Sequence, residues 1–329
     1  MITNICRRAF VALALATATC APFGAAAQTD LPTIRAAVLK IGTVNWELDT
    51  ITHNGFDRDN GFILDVQPYA DNGATRVALE GGEADLAVAD WIWVARQRAA
   101  GKDYVFIPYS KAVGGLVVPA DSTAETLQDL AGGRIGIAGG PVDKSWLILR
   151  AYAQQEYGMD LAAETEQVFG APPLIFQSAL GGETDGAINF WHFLAKMKAA
   201  GMRQIISVED ASIALGLDPE VPLLGYVMKE SFITENPGIA AALYGASRDA
   251  KDLLAADDAA WDRIRPIMNA QSDAQFETLR ADFRAGIPQP GAVNIESADR
   301  MLRLMAALGG ERLVGEATSL PDGLFVPIE

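Results

Sequence analysis

Thiols are nearly absent from this chain. Its two cysteines, Cys6 and Cys20, fall within the opening stretch of a 329-residue sequence. Beyond them there is no cysteine nucleophile, thiolate metal site or iron–sulfur cluster to consider. Histidine is equally scarce. His53 and His192 stand far apart, without H-x-x-H or H-E-x-x-H spacing, so no zinc site of that kind is written here. Each reads as a satisfied histidine on the surface or in a cleft. Positive charge is in deficit, with 26 Lys and Arg against 42 Asp and Glu and a net charge of −16. Such a chain repels nucleic acid and anionic lipid surfaces. The acids are spread along the chain rather than gathered in a tail, and their plain role is solubility. The glycine-rich nucleotide motifs and the G-x-S-x-G elbow are missing as well. No metal and no cofactor is implied.

What the chain does have begins at the N-terminus. "MITNICRRAFVALALATATCAPFGAAAQ" carries Arg7 and Arg8, an apolar run, and an A-x-A ending at Ala25 and Ala27. That pattern predicts a secretory signal peptide over residues 1–27, too short for a membrane span. A lipid anchor on Cys20 is the lesser alternative, because Thr17 and Thr19 precede it. Cleavage removes both cysteines, as suits a large exported protein whose core needs no disulfide. No later run reaches the ~18 apolar residues of a membrane helix. About 300 residues exceed what one core usually fills, so two lobes are expected.

Strand and helix patterns alternate along the remainder. "TIRAAVLKIGTV" reads as a strand from Ile34 to Val44, and "NWELDTITHNGFDRDNG" as a helix ending near Gly61. The short apolar run "DLAVA" (85–89) fits a buried parallel strand, and "DWIWVARQRAAG" the helix after it. An extended stretch at 112–122 interrupts the alternation. A second block follows, in which "ETLQDLAGG" reads as a helix, and a second extended run occupies 221–229. The expected fold is α/β: two lobes, each an open, mostly parallel sheet flanked by helices, joined by two hinge crossings. Lobe 1 is expected over 30–112 plus 222–329, and lobe 2 over 116–219. In open sheets of this kind ligands sit beyond the C-terminal strand ends.

The turns at those ends hold the strongest local signal. Trp46, Trp91, Trp146 and Trp191 all lie on them, four of the six tryptophans. A tryptophan beside a cleft offers a flat face for stacking, although each of these rings could equally cap a hydrophobic sheet. Trp93 follows Trp91 by two positions, so the pair points to different sides of its helix. The expectation is that Trp91 faces the cleft and Trp93 the core. Asn45, Asp90, Ser110 and Asn189 supply hydrogen-bonding groups beside the rings, and Asp90 also suits a helix cap. "GGPVDKSW" (139–146) starts a helix whose free N–H groups favour an anion, with Lys144 and Ser145 adding charge and a hydroxyl. Asp143 opposes that anion unless it caps the helix.

The segments "GTVNW", "DNGATRVALEGGEADLAVADW", "GKDYVFIPYSKAVGGLVVPADS", "LAGGRIGIAGG" and "DGAINFW" together resemble the substrate-binding proteins of ABC importers, in the nitrate, taurine and alkanesulfonate group that includes thiamine-pyrimidine binders. The resemblance runs from about Ile34 to Lys229. It implies a periplasmic, two-lobed protein of the type II binding fold that closes on a small-molecule ligand. It also implies a permease with its ATPase as partner, no insertion into the membrane and a monomeric state. Carried over residue by residue, it places the ligand against Asn45, Trp46, Asp90, Trp91, Tyr109, Ser110, the Gly140–Ser145 turn with Lys144, Asn189 and Trp191. Bulky Trp91 beside acidic Asp90 departs from the small hydroxyl residues usual at that turn in nitrate and sulfonate binders, which argues against a small inorganic anion. Two other readings are an accessory protein of a periplasmic dehydrogenase and an enzyme on the same fold.

Overall fold

The computed structural model describes residues 31–327, so the expected signal peptide lies outside the described residues. Ten strands run in chain order: β1 (Thr33–Leu39), β2 (Ile63–Tyr69), β3 (Leu86–Asp90), β4 (Tyr104–Ser110), β5 (Gly115–Val118), β6 (Arg134–Ala138), β7 (Glu166–Gly170), β8 (Gly186–Asn189), β9 (Arg203–Ser207) and β10 (Leu224–Lys229). The helices in the first half are α1 (Val44–Asn54), α2 (Phe56–Asp59), α3 (Asn72–Gly81), α4 (Trp91–Ala99), α5 (Lys144–Tyr157), α6 (Leu161–Glu164) and α7 (Pro172–Leu180). Then come α8 (Trp191–Ala199), α9 (Val208–Ala214), α10 (Glu230–Glu235), α11 (Ile239–Ala256), α12 (Asp258–Ile264), α13 (Asp273–Ala285), α14 (Ile295–Gly309) and α15 (Glu311–Val314).

The strands form two five-stranded sheets, ordered β2-β1-β3-β10-β4 and β7-β6-β8-β5-β9. Each is parallel except for one strand in the fourth place. β10 runs antiparallel between β3 and β4, and β5 antiparallel between β8 and β9. These inserted strands belong to the two extended stretches that break the sequence alternation. Helices cover both sheets, so the central strands are apolar on both faces, as β3 and β5 are. The fold is α/β, with two mixed five-stranded sheets flanked by helices.

Three expected elements differ in detail. β1 stops at Leu39, and Val44 already opens α1, because the Asn45 amide gathers the carbonyls of Leu39 (2.8 Å) and Gly42 (2.9 Å) into a tight turn. The helix after it breaks at Gly55, which takes φ +76 and caps α1. "ETLQDLAGG" holds only a single 3₁₀ turn, Gln128–Leu130. There the Asp129 carboxylate accepts from the N–H groups of Glu125 and Thr126 and folds the segment back before a helix can propagate.

Beneath the first sheet, α1, α11 and β10 enclose a charged cluster. Lys251 Nζ donates to Glu47 Oε2 at 2.6 Å, while Tyr226 and Ser247 donate to Glu47 Oε1, each at 2.6 Å. The C-terminal helices reach across the molecule: α13 packs on α8, and α14 on α5. Lys198 of α8 pairs with Asp282 of α13 at 2.7 Å.

Candidate functional site

The C-terminal strand ends of the two sheets face a common cavity of about 320 Å³. Leu39 and Asp90 line it at the ends of β1 and β3, with Tyr109 near the end of β4. From the second sheet come Lys144 and Ser145 at the start of α5, and Trp191 at the start of α8. Residues 112–114, the first crossing between the sheets, also line the space. Gly114 is required there: a Cβ would lie 2.3 Å from the Asn189 carbonyl oxygen. The crossings are tied to each other by an ion pair between Lys111 and Glu220.

One ion pair spans the cavity. Lys144 Nζ donates to Asp90 Oδ2 at 2.9 Å, joining the second sheet's α5 to the first sheet's β3. The other oxygen of Asp90 accepts from the Trp93 N–H at 2.8 Å and caps α4. Burial raises the Asp90 carboxyl. Lys144, by charge and hydrogen bond, and the Trp93 N–H outweigh it and hold the carboxyl below its ordinary value. Asp90 therefore caps α4 and lines the cavity as one half of an ion pair.

The neighbouring groups are set by burial. Asp143 caps α5 through the Trp146 N–H at 3.1 Å, and burial raises its carboxyl. Gly139 leads into this turn at φ +98, with Asp143 Oδ2 3.4 Å from where a Cβ would lie, so a side chain there would be strained. His192, half-buried on the cavity wall, is lowered to about 4 by burial and by Lys196, which leaves a neutral imidazole. Burial and the Glu47 carboxylate push the Tyr109 phenol well above its ordinary value. Among the described residues, no group of three or more His, Cys, Asp or Glu is placed to hold a metal ion.

Of the residues singled out by sequence, Asp90, Tyr109, Lys144, Ser145 and Trp191 line the cavity. Six do not. Asn45 is committed to the β1–α1 turn described above. Ser110 accepts from the Ala112 N–H at 3.1 Å and steadies the crossing. Gly140 lies on the turn before α5, outside the lining. Asn189 donates to the Pro172 carbonyl at 3.0 Å and accepts from the Phe190 N–H at 2.8 Å. Trp46 is buried among Trp191, Trp261 and Phe283, with ring centroids 5.7, 6.2 and 5.8 Å away.

Trp91 is the main correction. It is fully buried and packs against Phe325, whereas Trp93 is the half-buried member of the pair, stacked on Tyr104 at 5.5 Å. The expected assignment of the two rings is reversed. The cause is the C-terminal chain: α15 packs on α4, and the segment after it brings Phe325 onto Phe106 and Trp91. The face of α4 that carries Trp91 is thereby interior, and nothing local to "DWIWV" reveals that cover. Sequence reasoning also missed Asn72, Thr75 and Arg76, which line the cavity from α3. Their spacing of i, i+3 and i+4 on one helix face was the available signal.

Comparisons with known proteins agree with this architecture. No curated protein matches the sequence. Among solved structures, the periplasmic aliphatic sulphonate binding protein SsuA of Escherichia coli is similar, with a TM-score of 0.70 at 15% identity, covering 88% of this chain and 92% of that one. The alkanesulfonate-binding protein SsuA of Xanthomonas axonopodis pv. citri, bound to MOPS, gives 0.67 at 18% identity over 91% of this chain and 99% of that one. DSZB, as a mutant in complex with biphenyl-2-sulfinic acid, gives 0.57 at 15% identity over 89% and 97%. These likenesses show the fold. The NMT1/THI5-like family profile matches residues 51–260, more than half of the sequence, and the chain belongs to that family.

Proposed function

We propose that this protein is an extracytoplasmic solute-binding protein of an ABC importer. It captures one small organic molecule between two lobes and delivers it to a permease and its ATPase. The observation that carries the reading is the cavity itself, walled by both sheets at their C-terminal strand ends and spanned by Asp90 and Lys144. Its volume and its mostly apolar lining with a few polar groups suit a small organic ligand. The sulfonate-binding names of the similar structures support the same reading.

The lobes comprise residues 30–112 plus 222–329 and residues 116–219, and they close on the ligand by movement at the two crossings. Export by the N-terminal signal peptide places the protein in the periplasm, and no described helix is long and apolar enough to cross a membrane. The reading is of a binder rather than a catalyst: the cavity's two carboxylates are used to cap α4 and α5, and one of them holds Lys144. Thermal-shift screening against alkanesulfonates, carboxylates, amines and pyrimidines tests the proposal. A true ligand raises the unfolding midpoint progressively with its concentration. No stabilisation by any class would contradict it.

A further inference from the structure

Among the described residues, four charged side chains line the cavity: Arg76, Asp90, Asp143 and Lys144. Three are engaged. Lys144 and Asp90 hold each other, and Asp143 faces the first N–H groups of α5. Arg76 differs. Among the described residues it makes no ion pair, and its buried Nε has no hydrogen-bond partner. A buried donor without a partner is costly. The Asp90 charge acts on Arg76 without a hydrogen bond, so the half-buried fork keeps donors free for a partner from outside.

The placement of Arg76 is itself built. Asp71 caps α3, its carboxylate accepting from the Ala74 N–H at 2.9 Å, and the helix carries Arg76 to the cavity wall. The guanidinium lies over the Trp93 ring at 4.7 Å, and Trp93 in turn stacks on Tyr104. This aromatic platform fixes the plane of the fork while leaving its donor edge uncommitted. Around it the walls are apolar, with Val38, Val88, Phe190 and Leu224 among the lining.

We propose that Arg76 is the anion-recognising residue of the cavity and that the ligand is an organic oxyanion, a carboxylate or sulfonate on an apolar body. The proposal rests on the solute-binding reading and deepens it. A planar fork matches two oxygens of either head group, and the apolar walls take the body. Lys144, the cation that the sequence alone offers for this task, is neutralised by Asp90 and serves to join the two sides of the cleft.

Calorimetric titration of the parent, Arg76→Gln and Arg76→Lys tests this. The probes are hexanoate, benzoate, hexane-1-sulfonate and MOPS, with hexanamide, benzamide and hexylamine as uncharged and cationic counterparts. Unfolding curves of both variants establish that the fold is kept. The expected result is that the parent binds at least one anion and that Arg76→Gln weakens that anion tenfold or more. Arg76→Lys should recover part of the loss, and any binding of the amides should stay unchanged. Anion binding by Arg76→Gln equal to the parent's would overturn the proposal. So would a parent that takes only amides or the amine, an outcome that leaves the solute-binding reading standing. If none of these probes binds and the thermal-shift screen, pyrimidines included, finds no ligand, both readings fall.

Discussion

Two lysine–carboxylate pairs of nearly equal length do different work in this protein. Lys251 and Glu47 meet at 2.6 Å with side chains 3% and 0% exposed; Lys144 and Asp90 meet at 2.9 Å with 24% and 10% exposed. The first pair is closed on itself. Both Glu47 oxygens are occupied, and Lys251 also lies over the Tyr109 ring at 4.8 Å. Burial draws the Lys251 ammonium below its ordinary value despite Glu47, so the site is dry enough to penalise charge. The second pair stands at the cavity and joins the two sheets. Identical chemistry thus fixes a core in one place and spans a cleft in the other, and what separates them is the number of satisfied partners and the access of water.

The sharpest way to break the comparison is to remove one lysine at a time. Lys251→Met leaves Glu47 charged, buried and short of a partner, and should cost about 4 kcal/mol of stability. Urea unfolding measures this, and a loss under about 1 kcal/mol would mean that the sealed cluster is not what holds α1 to α11. Next in size is Trp91→Ala. Emptying a fully buried indole site should cost about 3 kcal/mol, with the affinity of any cavity ligand unchanged once the variant is folded. A folded, equally stable variant that loses ligand would restore Trp91 to the cleft.

Acid should separate the regions further through His192. Its folded-state value of about 4 lies below the ordinary 6.5. As pH falls, the unfolded chain takes up this proton first, so stability is complete above about pH 6.5 and declines toward pH 4. For a half-buried ring the loss should be about 2 kcal/mol or less. Unfolding midpoints across this range, compared with those of His192→Gln, give the contribution, and equal slopes would mean the imidazole is solvated in the fold. Smallest is Lys144→Met, at about 1 kcal/mol, because its partner keeps the Trp93 N–H and access to the cavity. A loss matching that of Lys251→Met would erase the distinction between the two pairs.

Much of the architecture was legible in the sequence. "DLAVA" is buried on both faces because helices cover its sheet, and that leaves an uninterrupted apolar run bounded by turns. The two interruptions of the alternation proved to hold the antiparallel strands β5 and β10. The errors arose from contacts that apolar spacing does not show, one of them local and one made by distant chain. Asp129 reaching back to Glu125 and Thr126 is a local competition that apolar spacing does not record. Trp91 against Trp93 depends on residues beyond 310 that cover one face of α4. Asp90 and Lys144 were legible as chemistry, because an acid at a strand end and a lysine at a helix start are visible one by one. Their pairing was not, since 54 positions separate them. Arg76 was hidden for the opposite reason: inside an ordinary amphipathic helix, nothing marks which polar residue faces a cavity.

The central claim, that this cavity takes one small molecule, is tested most directly by filling it. Val88 projects from β3 into the lining, so Val88→Trp should occupy the space while Asp90 and Lys144 stay in place. Calorimetry of the parent with the strongest stabiliser from the thermal-shift screen should give one site per chain, and the folded Val88→Trp variant should give no measurable heat of binding. A folded Val88→Trp variant that binds the same compound with the parent's affinity and stoichiometry would contradict the account and place the ligand elsewhere.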